Sequence, residues 1–115
     1  MGGFLHIADA PRHTGSEIKL RGWIHRKRES GSIVFVILRD NTGIIQCAVK
    51  RNNVDGSSWS AAGVSTVESS VELSGVVRED QRAPTGYEVE VNSFKATHVS
   101  EPYPITEYQS TELLL

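Results

Sequence analysis

A short stretch in the first half of the chain contains three kinds of side chain that together can hold a single-stranded nucleic acid. The ring of Phe35 can stack on a base, because every base offers a π-face. The amide of Gln46 can donate one hydrogen bond to a base edge and accept another from it. The basic run of Arg26, Lys27 and Arg28 can grip phosphates or a base edge. This combination predicts a binding site for a single strand.

The charged residues are unevenly distributed along the sequence. A formal net charge of −2 argues against a uniformly basic nucleic-acid binder. Residues 19–51, however, hold eight of the twelve Lys and Arg residues and two of the fourteen Asp and Glu residues, a net charge of +6. Residues 52–115 carry about −7. Such asymmetry in one small domain favours a single basic binding face, although charge alone leaves open a solvated face with no partner.

The hydrophobic pattern predicts five strands and one helix. Period-two alternation and turn signals give strands over 17–28, 33–39, 44–50, 68–79 and 87–99. A helix is expected over 59–67 with Ser57 or Ser58 as its N-cap, and a short helical turn over 7–10. Five strands with a helix between the third and fourth are typical of an OB-fold, an all-β Greek-key barrel. The absence of βαβ alternation favours antiparallel strands.

The hairpin turn at 40–43 relates two of the candidate side chains. Phe35 shares a strand face with Ile33 and Ile37. With the turn centred near Asn41, Phe35 and Gln46 are expected opposite each other or one diagonal apart on the same face. Two plainer interpretations remain open from these residues alone: Phe35 as a core phenylalanine, and Gln46 as an ordinary outward-facing strand residue.

Five other residues are expected to serve the barrel itself. Asp40 should bond the backbone of its own turn. Gly22 and Gly75 stand inside strands, where a tight bend leaves no room for a side chain. Trp23 is interpreted as barrel packing, and Trp59 as the contact that holds the helix against the end of the barrel.

Several functional classes are disfavoured by composition. The single cysteine, Cys47, cannot form an internal disulfide and fits a reducing cytoplasm. The four histidines show no paired ligand spacing, so no metal site is expected. The longest apolar run is 33–38, far short of a membrane span, and no signal peptide is evident. No catalytic constellation stands out, so the sequence predicts a cytoplasmic binding domain without catalytic residues or a cofactor of its own.

The same stretch resembles the N-terminal anticodon-binding domain of the class II aspartyl-, asparaginyl- and lysyl-tRNA synthetases. The resemblance covers about residues 17–115 and is strongest over 22–49. Its elements occur in the family's order: Gly-Trp-Ile at 22–24, the basic cluster at 26–28, Gly-Ser at 31–32, Phe35, Leu-Arg-Asp at 38–40, Gly43 and Gln46.

The resemblance implies a role for each matching residue. Phe35 would stack on an anticodon base, and Gln46 would recognise the central uridine. Arg28, with Arg26 and Lys27 beside it, would contact the anticodon loop. Glu88 lies near the place where the family has an acidic residue that helps to recognise an anticodon base. A solvated strand carboxylate is an equally good interpretation of Glu88.

The end of the sequence favours one specificity within the group. Tyr103-Pro104-Ile105, followed by three leucines at 113–115, resembles the approach to the catalytic domain in asparaginyl-tRNA synthetases. We therefore expect an N-terminal extension over 1–16, an anticodon-binding barrel over 17–100, and a linker over 101–115 into a catalytic domain outside this sequence. The resemblance implies that this domain uses ATP and Mg²⁺ and that the full-length enzyme is a homodimer.

Three alternatives are kept. One is an aspartyl or lysyl enzyme of the same group. A second is a free-standing OB module that binds single strands without sequence preference, for which the chain has few aromatic residues. A third is a barrel that binds only proteins, which would not require basic residues beside Phe35 and Gln46.

Overall fold

Five strands close into a barrel in the computed structural model, which describes residues 3–99. The strands are β1 (Glu17–Ser30), β2 (Ile33–Asp40), β3 (Gly43–Lys50), β4 (Ser70–Glu79) and β5 (Tyr87–His98). Around the barrel the order is β1-β2-β3-β5-β4. The predicted OB-type barrel, with its helix between the third and fourth strands, is confirmed.

One strand pair differs from the antiparallel expectation. The β3–β5 pair is parallel, whereas the four other pairs are antiparallel. The reason is parity: strand directions cannot alternate all the way around a closed ring with an odd number of strands. The parallel pair matters for function, because it brings β5 beside the part of β3 that carries Gln46.

The barrel interior is filled by alternate residues of the strands, as the period-two pattern predicts. On β2, for example, Val34, Val36 and Leu38 are buried while Phe35 and Ile37 are not. Each fully buried aliphatic side chain stabilises the fold by roughly 1.5–3 kcal/mol. The largest fully buried side chains are Leu20, Ile24, Leu38, Ile45, Val36, Val49, Val71, Val77, Val89, Val91 and Cys47.

Two glycines allow neighbouring strands to approach closely. A Cβ atom on Gly22 would lie 2.3 Å from the carbonyl oxygen of Arg39, and one on Gly75 would lie 2.3 Å from the carbonyl oxygen of Glu90. Any side chain at either position would collide with backbone that cannot move independently. The prediction that these glycines occupy tight places in the barrel is confirmed.

The helix α1 (Gly56–Val64) begins and ends three residues earlier than the predicted 59–67. Its N-cap is Asp55, whose carboxylate accepts a hydrogen bond from the Ser58 amide at 2.8 Å, and not Ser57 or Ser58. Ser58 is buried instead, and its hydroxyl accepts a bond from the Phe94 amide of β5 at 3.0 Å. The serine that looks like a cap therefore ties the helix to the barrel.

The residues before β1 pack onto the barrel. A 3₁₀ helix (Ile7–His13) extends beyond the predicted turn at 7–10 and contains Pro11. Ile7 and Ala10 are buried in the core, and the Leu5 amide donates to the Lys19 carbonyl at 2.9 Å. The predicted linker at 101–115 lies outside the described residues.

Candidate nucleic-acid interface

A β-bulge in β1 decides which basic side chains face solvent. Ile24 pairs with Leu38 and Arg26 pairs with Ile37, so His25 is an extra residue in the ladder. Ile24 points into the barrel, and without the bulge Arg26 would do so as well. The extra residue reverses the alternation, and Arg26 and Arg28 are consequently exposed.

Phe35 and Arg28 form a stacked pair on the outer face of the barrel. They are partners in the β1–β2 ladder, and the guanidinium carbon of Arg28 lies 4.3 Å from the centroid of the Phe35 ring. Phe35 is half-buried and lies outside the core that its neighbours Val34 and Val36 fill. Its interpretation as a core phenylalanine is therefore wrong, and the ring is available at the surface.

Gln46 lies beside this pair. It is opposite Ile37 on β2, while Phe35 is opposite Ala48, so Phe35 and Gln46 are one diagonal apart on the same face, as predicted. On its other side Gln46 is the parallel partner of Glu88. Its Nε2 atom donates a hydrogen bond of 2.6 Å to Glu88 Oε2. The structure thus brings together Arg28, Phe35, Gln46 and Glu88.

Lys27 is not brought to this face. Only 13% of its side chain is exposed, and its ammonium donates to the carbonyls of Gly63 at 2.9 Å and Ser65 at 2.7 Å. It also lies 3.4 Å from the Glu29 carboxylate. A cation on the last carbonyls of a helix offsets the negative end of the helix dipole. The grouping of Lys27 with Arg26 and Arg28 is corrected: Lys27 holds the C-terminus of α1.

Sequence reasoning missed a polar cluster around the Glu90 carboxylate on β5. Glu90 accepts bonds from Arg78 Nε at 2.7 Å and Asn53 Nδ2 at 3.0 Å, and Lys50 Nζ is 3.4 Å away. The bond from Arg78 is the main cause that lowers the pKa of Glu90 below its ordinary value. The alternation of β5 places Glu90 on the same face as Glu88, which the sequence could have indicated, but its partners come from three other elements.

Two cations on this face lack acidic partners. Within residues 3–99, neither Arg26 nor Arg28 has a carboxylate at ion-pair distance, whereas Lys50 and Arg78 share Glu90. Unpaired guanidinium groups keep all five donors available for phosphate or a base edge. The positive charge that the outer face offers to a ligand therefore comes chiefly from Arg26 and Arg28.

A cleft of about 570 Å³ lies elsewhere on the barrel. Phe4, Arg21 and Trp23 are among its lining residues, and it includes none of the predicted site residues. Trp23 is half-buried there, with the Arg39 guanidinium 5.1 Å from its ring centroid. The stacking face is thus an open sheet surface separate from this cleft.

The structure offers no sign of metal or thiol chemistry in the part it describes. Among residues 3–99, no three His, Cys, Asp or Glu side chains cluster as a metal site would require. Burial raises the pKa of the Cys47 thiol well above its usual range, which keeps this thiol neutral and unreactive. None of the described helices is long and apolar enough to cross a membrane.

Several known proteins are similar to this chain. An asparagine–tRNA ligase of Thermoplasma acidophilum is 41% identical over 103 residues, which cover 90% of this chain and 24% of the relative. Asparaginyl-tRNA synthetase from Pyrococcus horikoshii superposes with a TM-score of 0.82 at 33% identity, covering 99% of this chain and 27% of that one. Aspartyl-tRNA synthetase from Entamoeba histolytica superposes with a TM-score of 0.70 at 20% identity, and the match covers 90% of this chain and 23% of that one. At this identity the similarity shows the common fold alone.

The match is to one part of each longer relative. The chain spans about a quarter of the length of the curated relatives and solved structures named here. A model of the tRNA anti-codon family, described as an OB-fold nucleic acid binding domain, matches residues 18–96. This match covers well over half of the chain and includes most of every strand of the barrel. The protein therefore belongs to the tRNA anti-codon family of OB-fold nucleic acid binding domains.

Proposed function

We propose that this chain recognises the anticodon loop of a tRNA, through its central uridine, as the N-terminal domain of an asparaginyl-tRNA synthetase. The observation that carries this proposal is the placement of a stacking ring and a hydrogen-bonding amide one diagonal apart on an open sheet face. The names of the similar ligases and synthetases support the choice of asparagine over aspartate or lysine.

The Phe35 ring can interact either with the Arg28 guanidinium or with a stacked base. In the free protein the ring is covered on one side by Arg28. An exposed cation–π contact is worth about 0.5–1 kcal/mol, whereas stacking of a base on an aromatic ring is worth about 1–3 kcal/mol. A base therefore competes successfully for the ring. The displaced guanidinium of Arg28 then becomes free to bond a phosphate of the same loop.

The recognition role belongs to Gln46. Uracil offers an imino N–H donor beside a carbonyl acceptor, and an amide supplies the complementary pair. Arg26, exposed two residues before Arg28 on the same strand and opposite Ile37, is suited to a second phosphate. Glu88 belongs to the same site through its bond to Gln46.

The wider assignment concerns a longer protein. Because the chain spans about a quarter of its curated relatives, we infer that a separate catalytic domain activates asparagine with ATP and Mg²⁺ and joins it to tRNA(Asn). We assign such an enzyme to the cytoplasm and to a homodimer, in which two copies of this barrel would each bind one tRNA. In this chain itself we assign no residue to ATP or to Mg²⁺.

A binding titration tests the anticodon assignment. The 115-residue chain would be titrated with anticodon stem-loops that differ only in the central base, with Gln46→Ala as the comparison variant. We expect the wild type to prefer the central-U loop, and Gln46→Ala to lose roughly 1–3 kcal/mol on that loop and much less on central-A or central-C loops. Equal wild-type affinity for all loops would overturn anticodon recognition and favour non-specific binding of single strands.

A further inference from the structure

The Gln46 side chain has one fixed end and one free end. Its Nε2 atom donates to Glu88 Oε2 at 2.6 Å. Among the described residues, no donor bonds its Oε1 atom, and the second hydrogen of Nε2 is likewise not used by a described acceptor. The residue is half-buried on the sheet face beside Phe35. The groups left for a ligand are therefore one acceptor and one donor, in a fixed spatial order.

That order matters because an amide has nearly the same shape in both orientations. Rotation of the amide by half a turn exchanges the positions of the C=O and the NH₂ group. Uracil presents N3–H as a donor and O4 as an acceptor, whereas cytosine presents N3 as an acceptor and its amino group as a donor. An amide free to rotate can therefore bond either pyrimidine, and only an amide held in one orientation distinguishes them.

A carboxylate is suited to hold the amide in this way. An ionised carboxylate accepts hydrogen bonds and donates none, so it bonds the NH₂ side of an amide and repels the C=O side. A hydrogen bond to a charged acceptor is also stronger than one between neutral groups. The parallel pairing of β3 and β5 fixes Glu88 directly beside Gln46. We propose that Glu88 is a positioning residue that locks the orientation of the Gln46 amide and thereby makes the site prefer uracil over cytosine.

This inference rests on the proposed anticodon recognition and assigns Glu88 a different role from direct contact with a base. It separates the two carboxylates that β5 presents on the same face. Glu90 is bonded by Arg78, Asn53 and Lys50, which balance its charge. Among the described residues, Glu88 has the Gln46 amide as its hydrogen-bond partner, and its charge opposes the approach of RNA.

The test uses Glu88→Gln, with Glu90→Gln as the matched control for charge. A glutamine at position 88 can accept from or donate to Gln46, so the amide is free to adopt both orientations. We expect the ratio of affinities for central-U over central-C stem-loops to fall about tenfold. Affinity for the central-C loop should rise, because a negative charge is also removed. Glu90→Gln should leave the ratio within about twofold of wild type, because it leaves the Gln46–Glu88 bond intact.

A second measurement separates failure of this inference from failure of the proposed function. In the NMR spectrum of the free protein, the Gln46 side-chain amide is identified by its loss in Gln46→Ala. We expect one of its protons to be shifted downfield by Glu88 and to move in Glu88→Gln but not in Glu90→Gln. If the wild type shows no preference for a central uridine, the proposed function fails, while this spectrum still reports whether the amide is held.

Two outcomes would overturn the inference itself. One is an unchanged U-over-C ratio in Glu88→Gln when the wild type prefers uridine; an equal loss of affinity for both loops is such a result and would indicate a general contact or a structural role. The other is a Gln46 amide signal that does not respond to the substitution. Should Glu88→Gln fold poorly, Glu88→Ala removes the same acceptor and is expected to lower the ratio similarly.

Discussion

Two polar regions of this barrel, the β2–β3 turn and the outer sheet face, differ in how fully the hydrogen-bonding capacity of their side chains is used. At the β2–β3 turn, the Asp40 carboxylate accepts from the Thr42 amide at 2.7 Å, the Thr42 hydroxyl at 2.6 Å, the Gly43 amide at 3.2 Å and the Ile7 amide at 2.9 Å. Burial acts to raise the pKa of Asp40, but these bonds outweigh it and hold the pKa below its ordinary value. On the outer sheet face, by contrast, Gln46 makes one hydrogen bond and Arg28 contacts a ring.

The difference distinguishes residues that hold the fold from residues that are available to a ligand. Asp40 joins the turn to the 3₁₀ helix and has little capacity left for another partner. Arg28 and Gln46 keep donors and acceptors that water satisfies in the free protein and RNA can satisfy in a complex. Substitutions in the two regions should therefore affect different measurements: the free energy of unfolding for the turn, and RNA affinity for the sheet face.

The largest effect is expected for Asp40→Ala. Removing the carboxylate leaves the amides of Ile7, Thr42 and Gly43 without their acceptor, so the free energy of unfolding should fall by roughly 2–3 kcal/mol. Urea denaturation measures this loss. RNA affinity of the folded variant should stay within about twofold of wild type, because hydrogen bonds of the sheet face are unchanged.

A matched control for this prediction is Asp80→Ala. Asp80 also accepts a backbone bond within its own loop, from Arg82, but it joins no distant segment. Its loss should destabilise the protein much less than the loss of Asp40. Equal effects would mean that the link from Asp40 to the 3₁₀ helix contributes nothing measurable.

Phe35→Ala should give the largest effect on binding. The ring lies outside the core cluster, so unfolding should change little, while loss of the stacking surface should weaken stem-loop binding by about 1–3 kcal/mol. Because any base can stack, the loss should depend less on the central base than the loss caused by Gln46→Ala. Fluorescence anisotropy with labelled stem-loops measures both.

Ile33→Ala is the control for this second comparison. Ile33 is a half-buried residue on the same face of the same strand and has no aromatic ring. A loss of binding as large as that of Phe35→Ala would indicate that the strand surface, and not stacking on the ring, is responsible.

Neighbouring cations on β1 give a third, smaller contrast. Lys27→Met removes the ammonium from the Gly63 and Ser65 carbonyls and should lower the free energy of unfolding by about 1 kcal/mol without changing RNA affinity. Arg28→Met should leave unfolding nearly unchanged and weaken binding several-fold. Weaker RNA binding by Lys27→Met with unchanged stability would instead place Lys27 in the interface with Arg28.

Local pattern predicted the barrel and much of its outer face. Alternation on β2 separated Val34 and Val36 from Phe35 and Ile37, and the hairpin turn brought Gln46 near Phe35, although the pattern alone left open which face is the interior. Arg28 was selected by resemblance, since nothing in a run of three basic residues distinguishes its members. These features depend on neighbours in sequence or on a single turn, which is why sequence analysis reached them.

What sequence analysis missed depends on strand register or on contacts between segments that are distant in the sequence. The bulge at His25, which turns Lys27 inward, is defined by the register with β2 and has no local sign. The parallel contact that bonds Glu88 to Gln46 joins positions separated by 42 residues. At α1, Asp55, Ser57 and Ser58 are all good capping residues, and Ser58 is used instead by the Phe94 amide.

The smallest expected effect is the dependence of binding on salt, and it tests how many cations the sheet face contributes. Each phosphate neutralised on a single strand contributes about −0.7 to the slope of log affinity against log salt concentration. With Arg26 and Arg28 as the cations that lack acidic partners among residues 3–99, two contacts predict a slope of roughly −1 to −2 for the 115-residue chain. Arg26→Gln should make the slope shallower by about 0.7 while preserving the preference for a central uridine. A wild-type slope steeper than about −4 would require additional cations, such as Lys50 and Arg78 released from Glu90. A slope of zero would mean that Arg26 and Arg28 make no phosphate contacts and that stacking and the Gln46 amide are the whole of the interaction.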